Sequence, residues 1–208
     1  MSADIPYYKP DRFDIIAIAS STGGPGLLEN IITGLPADIP VPILIAQHLP
    51  PTFTPDFASM LDRKGTLAVY HAEHGMPVYP GTVYIGEGHK HLRVEHSRDG
   101  TYRIIVSPLP QELVYKPSAD ELFTSCAAVY GSKTLAVVMT GIGSDGLKGA
   151  GRVVAAGGIV ITQTKATCVV YGMPRVCDEA GLSSAQLDPE QIRLAILQLS
   201  PSQSKKTA

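Results

Sequence analysis

Apolar and polar positions along the chain change period several times, and those changes mark out its elements. Residues 13–19 form a short, nearly unbroken apolar run rich in isoleucine, the pattern of a strand buried on both faces. Residues 25–33 repeat apolar positions at helical spacing, with Pro25 in the first turn, where a missing N–H costs little, and Gly34 as the stop. The run at 42–46 predicts a second strand, and 54–62 a helix with Phe57, Met60 and Leu61 on one side. Further on, 135–139 predicts a strand, 145–156 a helix and 158–162 a strand. Ser118, Ala119, Asp120 and Glu121 fit a capping box that opens a helix through Tyr130, and 189–199 is a last amphipathic helix. Strands alternating with helices imply an α/β fold with parallel pairing through crossovers.

The middle of the chain breaks this rhythm. Short β runs at 67–70, 82–85, 92–94 and 102–106 follow one another, with Ser97-Arg98-Asp99-Gly100 as a hairpin turn between the last two. This stretch is expected to be an antiparallel excursion attached to the parallel sheet. No repeat or linker divides the chain. The expectation is an N-terminal segment at 1–12, one domain over 13–199, and a polar, disordered tail over 200–208.

Composition narrows the partners. A chain of 208 residues, 44% hydrophobic and 17% charged, accommodates one sizeable α/β domain. A net charge of -2 argues against bulk nucleic-acid binding, which needs a dense basic face, and leaves small molecules or protein surfaces. Residues 1–14 lack the apolar segment of a signal peptide, and the longest apolar runs fall far below the roughly 18 residues a membrane helix needs, so no membrane insertion is expected. Cys126, Cys168 and Cys177 are odd in number and form no C-x-x-C pair, which points to a reducing, cytoplasmic compartment.

The strand ends carry the chemistry. The first strand runs into Ser20-Ser21-Thr22-Gly23-Gly24, the second into Gln47-His48-Leu49-Pro50, and the strand at 135–139 into Thr140-Gly141-Ile142-Gly143-Ser144-Asp145-Gly146. In open parallel sheets ligands sit beyond the carboxyl ends of the strands, so these three loops are expected at one edge. Ser21, His48 and Asp145 then supply a nucleophile, a base near neutral pH and a carboxylate to orient the imidazole. Gly23 and Gly24 let backbone N–H groups approach a developing oxyanion.

Each residue also has a plainer role open to it. Ser21 and Asp145 both stand where a helix N-cap would, and a strand-end His48 can be a satisfied structural histidine. An anion cradle is less well supported, because no lysine follows the glycines as in G-x-x-x-x-G-K-[ST] and Pro25 removes a donor. The surroundings of Ser21 are not the G-x-S-x-G of α/β-hydrolases, and the order is Ser, His, Asp; triads are defined by geometry, not order. His89 and His91 could share a strand face, but no cysteine or carboxylate completes a tetrahedral metal set. His71, His74, His89, His91 and His96 are therefore expected as solvated surface residues, with no metal and no cofactor.

Taken together, Ser21-Thr22-Gly23-Gly24-Pro25, Gln47-His48-Leu49-Pro50 with Phe53-Thr54, the 140–146 loop, and Val169-Val170-Tyr171-Gly172-Met173-Pro174 resemble the catalytic domain of the CheB family of protein-glutamate methylesterases. The resemblance spans about 15–196 and implies a doubly wound, mostly parallel sheet with an antiparallel β-hairpin. It also implies hydrolysis of glutamate γ-methyl esters on chemoreceptor or receptor-like helices, with glutamine deamidation in some members. It assigns Ser21, His48 and Asp145 to the triad, and places Thr22, Gly23, Gly24, Ile142 and Gly143 around the oxyanion and substrate pocket; Tyr171 and Met173 are expected at the pocket floor, with core packing and a helix start at Pro174 equally open to them. Ile142 stands where the family usually has methionine, Ser20 where it has alanine, and Lys116 where arginine is common before Pro-Ser. The family's frequent N-terminal phosphoacceptor domain has no counterpart in the short segment before the first strand. Two other classes stay open: a catalytically silent binding module of the same fold, and a phosphate- or nucleotide-binding regulator.

Overall fold

The apolar run near the start of the chain becomes β1 (Ile15–Ser20), a strand with every residue buried. Its period of two sorts side chains between two cores. Ile16 and Ile18 join Ile43, Ile45, Val137 and Ile161 on one face; Ile15, Ala17 and Ala19 join Leu44, Ala46, Ala136 and Val138 on the other. The structure, a computed structural model, describes residues 5–201. After β1 come α1 (Gly24–Thr33), β2 (Ile43–Gln47), α2 (Thr54–Lys64), β3 (Ala68–His71), β4 (Thr82–Ile85), β5 (His91–His96) and β6 (Tyr102–Ser107). The second half holds α3 (Ala119–Tyr130), β7 (Thr134–Val138), α4 (Leu147–Ala155), β8 (Ile159–Gln163), α5 (Met173–Glu179), β9 (Ala185–Leu187) and α6 (Pro189–Leu197).

The two faces are built differently. On the isoleucine face, α1, α2 and α6 pack through Leu28, Ile31, Phe57, Leu61, Ile192 and Ile196. Burying such a side chain contributes about 1.5–3 kcal/mol. On the opposite face four alanines, Ala17, Ala19, Ala46 and Ala136, leave room for α3, whose Leu122, Phe123 and Cys126 fill the space. Helices α4 and α5 complete that layer with Ala150, Val153, Met173 and Cys177. This is the doubly wound α/β arrangement.

The main sheet has the order β3-β4-β2-β1-β7-β8-β9, and every pairing in it is parallel. The expected antiparallel excursion over 67–106 is therefore half corrected. β3 and β4 are parallel members of the main sheet, and β5 and β6 form the hairpin, closed by the 97–100 turn with Gly100 at φ 83°. The correction has a simple cause. β3 is an edge strand that alternates exposed Ala68 and Tyr70 with buried Val69, which imitates the signature of an antiparallel strand. The preceding α2 is the crossover that brings it back parallel to β2 through β4.

The chain ends depart from expectation too. Tyr8 packs edge-on against Phe13, and its N–H donates to Gln198 Oε1 (2.9 Å). Ser200, assigned above to a disordered tail, is buried and donates to Asp38 Oδ1 (2.6 Å). Residues 202–208 of that tail lie outside the described residues, as do residues 1–4.

One close approach holds the β2 loop. A Cβ at buried Gly88 would sit 2.5 Å from Pro51 N, 2.6 Å from Leu49 O and 2.7 Å from Pro50 C, all backbone atoms that cannot swing aside. Gly88→Ala is expected to cost about 1–3 kcal/mol, the usual range for overpacking. Calorimetry should show this as a Tm drop of roughly 2–4 °C per kcal/mol for a chain of this size. An unchanged Tm would mean the loop has slack.

Candidate active site

From β1 the sheet grows outward through β2, β4 and β3 on one side and through β7, β8 and β9 on the other. The reversal at β1 opens a crevice at the carboxyl ends of the strands, where α/β sheets place their ligands. The register pairs Ser20 with Gln47, so Ser21 and His48 are the next residues out on neighbouring strands. The His48 N–H donates to the Ser20 carbonyl and the Ser21 N–H to the Thr140 carbonyl, both at 2.9 Å. These bonds extend the ladder one step past the strands and tie all three loops together.

Asp145 does not start α4. That helix begins at Leu147, with Gly146 (φ 98°) as its N-cap and no side-chain cap, which corrects both the expected boundary and the capping role. Its carboxylate instead sits on the N-terminus of α3. Oδ1 accepts from Ser118 Oγ (2.9 Å) and the Asp120 N–H (3.1 Å); Oδ2 accepts from the Ala119 N–H (2.7 Å) and His48 Nε2 (2.9 Å). Burial pushes the Asp145 carboxyl up, but the bonds from His48, Ala119 and Asp120 outweigh it, and the group titrates below the usual carboxylate range. Free N–H groups and the helix dipole make that helix end a natural seat for an anion.

With Nε2–H donating to the carboxylate, Nδ1 of neutral His48 carries the lone pair. Nδ1 is buried and has no partner among the described residues. The expected Ser21 Oγ–His48 hydrogen bond is thus not formed in this structure; such bonds tighten in the substrate complex. Tyr115 stacks on the imidazole at 4.6 Å, with planes 5° apart, and fixes its plane. The Tyr115 hydroxyl lies 2.8 Å from where a Cβ on Gly143 (φ 90°) would stand.

At the turn after β1, Gly23 (φ 84°) is the N-cap of α1, with no side-chain cap, so Ser21 is not the cap. Val169 covers Gly23, and its Cγ2 would be 2.4 Å from a Cβ there. Gly24 packs beside Ser20 Oγ and Gln47 Oε1, both buried. Met173 is buried, with its sulfur against Gly141. Tyr171 bridges to Gly141, and its hydroxyl donates to Asp178 Oδ2. Ile142 is 54% exposed at the rim.

An open groove of about 590 Å³ runs past His48, lined also by Leu49, His89, Leu113, Tyr115 and Lys116 among others. Its apolar wall, residues 113–115, was not expected from the sequence. Another groove, of about 480 Å³, lies at the opposite edge against Phe13, Pro42 and Tyr130, before the strands begin, and its lining has no serine, cysteine or histidine. The Cys126 and Cys177 thiols, pushed up to about 12 by burial, are no rivals to Ser21 as nucleophile.

The histidines of the middle segment are not all on the surface, contrary to expectation. His91 is fully buried; its Nδ1 accepts from the Ser118 N–H (3.2 Å) and its Nε2 bonds the Pro110 carbonyl (3.0 Å). His71 is half-buried and bonds Thr54 Oγ1 (3.0 Å). Among the described residues no three or more His, Cys, Asp or Glu side chains converge as metal ligands do. No helix among them is long and apolar enough to cross a membrane. Sequence reasoning missed Tyr115 and the bond from Ser118 to Asp145, although the capping role of Ser118 was visible and marked the helix end that receives the carboxylate.

The lowered Asp145 titration fixes a sign for pH dependence. Its ionised form stabilises the fold fully above the unfolded carboxylate value, about 3.9, and that contribution is lost as pH falls through the lower folded value. Asp145→Asn is therefore expected to be clearly less stable than wild type at pH 6, with the gap closing in increasingly acid urea melts. A gap that is constant with pH would remove the ionised carboxylate from the stability of the fold.

The profile of the CheB methylesterase family matches residues 16–196. A protein-glutamate methylesterase/protein-glutamine glutaminase of Oleidesulfovibrio alaskensis is 44% identical over 91% of this chain and 51% of its own length. One from Nitratidesulfovibrio vulgaris is 44% identical over 88% of this chain and 50% of its own length. The chain thus spans about half the length of these curated relatives. The crystal structure of the Thermotoga maritima CheB methylesterase catalytic domain superposes with a TM-score of 0.86 at 40% identity, covering 90% of this chain and 98% of that one. A match that runs from the first strand into the last helix, with the same fold, settles the lineage: the chain belongs to the CheB methylesterase family.

Proposed function

We propose that the chain is a cytoplasmic serine esterase that removes γ-methyl esters from glutamate side chains on chemoreceptor-like signalling proteins. The observation that carries this reading is the His48–Asp145 pair, on the strand end next to that of Ser21, with Nδ1 buried and without a partner among the described residues. Nδ1 takes the Ser21 proton as Oγ attacks the ester carbonyl, and the imidazolium is stabilised by the Asp145 carboxylate through Nε2–H. The tetrahedral oxyanion faces the N–H groups of Thr22 and Gly23 and of the 142–143 loop. Collapse expels methanol with the proton from Nδ1 and leaves Ser21 acylated. Water, deprotonated by the same nitrogen, then releases the glutamate. The relatives' names couple methylesterase with glutaminase. A glutamine γ-amide would place its oxyanion at the same point, with ammonia as the leaving group.

Methanol release from methylated receptor membranes tests this. Ser21→Ala and His48→Ala are expected to lower turnover by roughly 10⁴- to 10⁶-fold, and Asp145→Ala by less, because Asp145 orients the imidazole without taking the proton. Prior dialysis against a chelator should leave the rate intact. Full activity in Ser21→Ala would overturn the assignment.

The site also bears on how substrate is held. Its groove is open, and Phe53, Val114, Ile142 and Val169 are exposed apolar side chains on its surrounding loops, more than half accessible in each case. A γ-methyl ester gives little surface to grip, so binding energy has to come from the protein around it. A methylated receptor fragment should therefore exceed a short glutamyl methyl ester peptide in kcat/KM by about 10²-fold or more, the effect of some 3 kcal/mol of remote contact. Equal values would remove receptor context from the reading.

A further inference from the structure

Gln47 closes β2 and is fully buried, an unusual place for an amide unless it is held. Its Nε2 donates to the Ser21 carbonyl (3.0 Å) and to the His48 carbonyl (3.3 Å). Both neighbours are acceptors, so the nitrogen has to face them. The Ser21 carbonyl takes a second bond, from the Gly24 N–H (3.0 Å). Two donors on one oxygen fix the plane of the Ser21–Thr22 peptide. In a trans peptide the N–H points opposite to the C=O, so the Thr22 N–H is turned away from buried Gln47.

The next peptide is fixed in the same way from the other neighbouring strand. Thr140 Oγ1 donates to the Thr22 carbonyl (2.9 Å), with the Val170 carbonyl a longer second acceptor (3.3 Å), which turns the Gly23 N–H away from Thr140. Thr140 is itself buried and pinned: its N–H donates to Gln163 Oε1 (2.8 Å), and its Oγ1 accepts from the Val170 N–H (3.0 Å). Neither the Thr22 nor the Gly23 N–H donates to a backbone acceptor among the described residues. Two consecutive N–H groups next to the nucleophile are thus left free by side chains that grip their carbonyl partners.

We propose that Gln47 and Thr140 are positioning residues that set the oxyanion site, by clamping the Ser21 and Thr22 carbonyls so that the Thr22 and Gly23 N–H groups face the ester oxygen. This rests on the esterase reading and adds to it a cause for the orientation of its donors. Neither side chain touches substrate. Their effect belongs to the transition state, where the oxygen becomes charged, and not to the bound ester.

The test uses the chain as it stands with four variants. Gln47→Met keeps length and removes the donor; Gln47→Glu puts a carboxylate against two carbonyls near neutral pH. Thr140→Val keeps shape without the hydroxyl, and Thr140→Ser returns it. Outright loss of an oxyanion donor costs about 10²–10³ in kcat, and a misaimed one should cost roughly 10- to 100-fold. The expected result is that drop in kcat for Gln47→Met, Gln47→Glu and Thr140→Val, with KM for a methylated receptor fragment changed less than about twofold. Thr140→Ser should recover most of the loss. Fluorophosphonate labelling of Ser21 should slow in parallel, and melting curves confirm that each variant is folded. Folded variants with wild-type kcat, a change in KM alone, or no difference between Thr140→Val and Thr140→Ser would overturn the positioning role while leaving the esterase reading intact. A wild-type chain that releases no methanol and takes no label at Ser21 would remove both.

Discussion

The site depends on one buried carboxylate seated on the end of a helix. Asp145 is almost out of contact with water, and an isolated anion there would be expelled or neutralised. It remains ionised because the N-terminus of α3 offers two backbone N–H groups and the Ser118 hydroxyl, and His48 supplies a fourth donor. The helix can offer them only because it lies close over the sheet, and it lies close because that face of the sheet is alanine where the other is isoleucine. Packing and chemistry are therefore one constraint. A larger side chain at Ala17 or Ala46 would lift α3, and with it the groups that hold Asp145 against the imidazole.

The same dependence extends outward through His91. Ser118 is held by its hydroxyl on Asp145 and by its N–H on His91 Nδ1, and His91 in turn bonds the Pro110 carbonyl beyond the hairpin. Burial lowers the His91 titration, against the opposing pull of the Pro110 carbonyl and Glu121, so the ring stays neutral and keeps a lone pair for Ser118. The hairpin is thus part of the frame for α3 and not an ornament on the sheet. Its Arg93 pairs with Glu121 on the first turn of α3 (3.1 Å), and Ser125 Oγ accepts from the Val94 N–H (3.2 Å).

What could be read in the sequence follows the range of the forces involved. The nearly unbroken apolar run at 13–19, a proline in the first turn of α1 and the Ser118 cap are local, and each left a mark within a few residues. The strand-end placement of Ser21, His48 and Asp145 followed from those local marks and the parallel-sheet rule. The pairing of β3 and β4 did not, because a short edge strand shows the same alternation whether its neighbour runs with it or against it. Nor could the helix partners of Asp145 be found, since Ser118 is 27 residues away and no pattern within either segment names the other. His91 misled for the opposite reason. A polar residue in an amphipathic strand reads as exposed unless its two bonding partners, both distant in sequence, are known.

The proposed catalytic parts and the proposed recognition surface are built to different standards. The backbones of Ser21 and His48 are held by ladder bonds, the Asp145 carboxylate by a helix end and the imidazole by a stacked tyrosine, so on the proposed mechanism what remains is to close the Ser21–His48 contact. The surrounding surface is open, and its apolar side chains, Val114 and Ile142 among them, stand largely in solvent. A rigid centre inside an exposed apolar rim suits a substrate that is itself folded. On the proposed function, a folded partner that covers the rim would exclude water from the groove and strengthen each electrostatic contact to the oxyanion. A small ester covers none of it and leaves the donors facing water. Selection among esters can then rest on the surface that carries them, since the methyl group offers almost nothing by which one glutamate ester could be told from another.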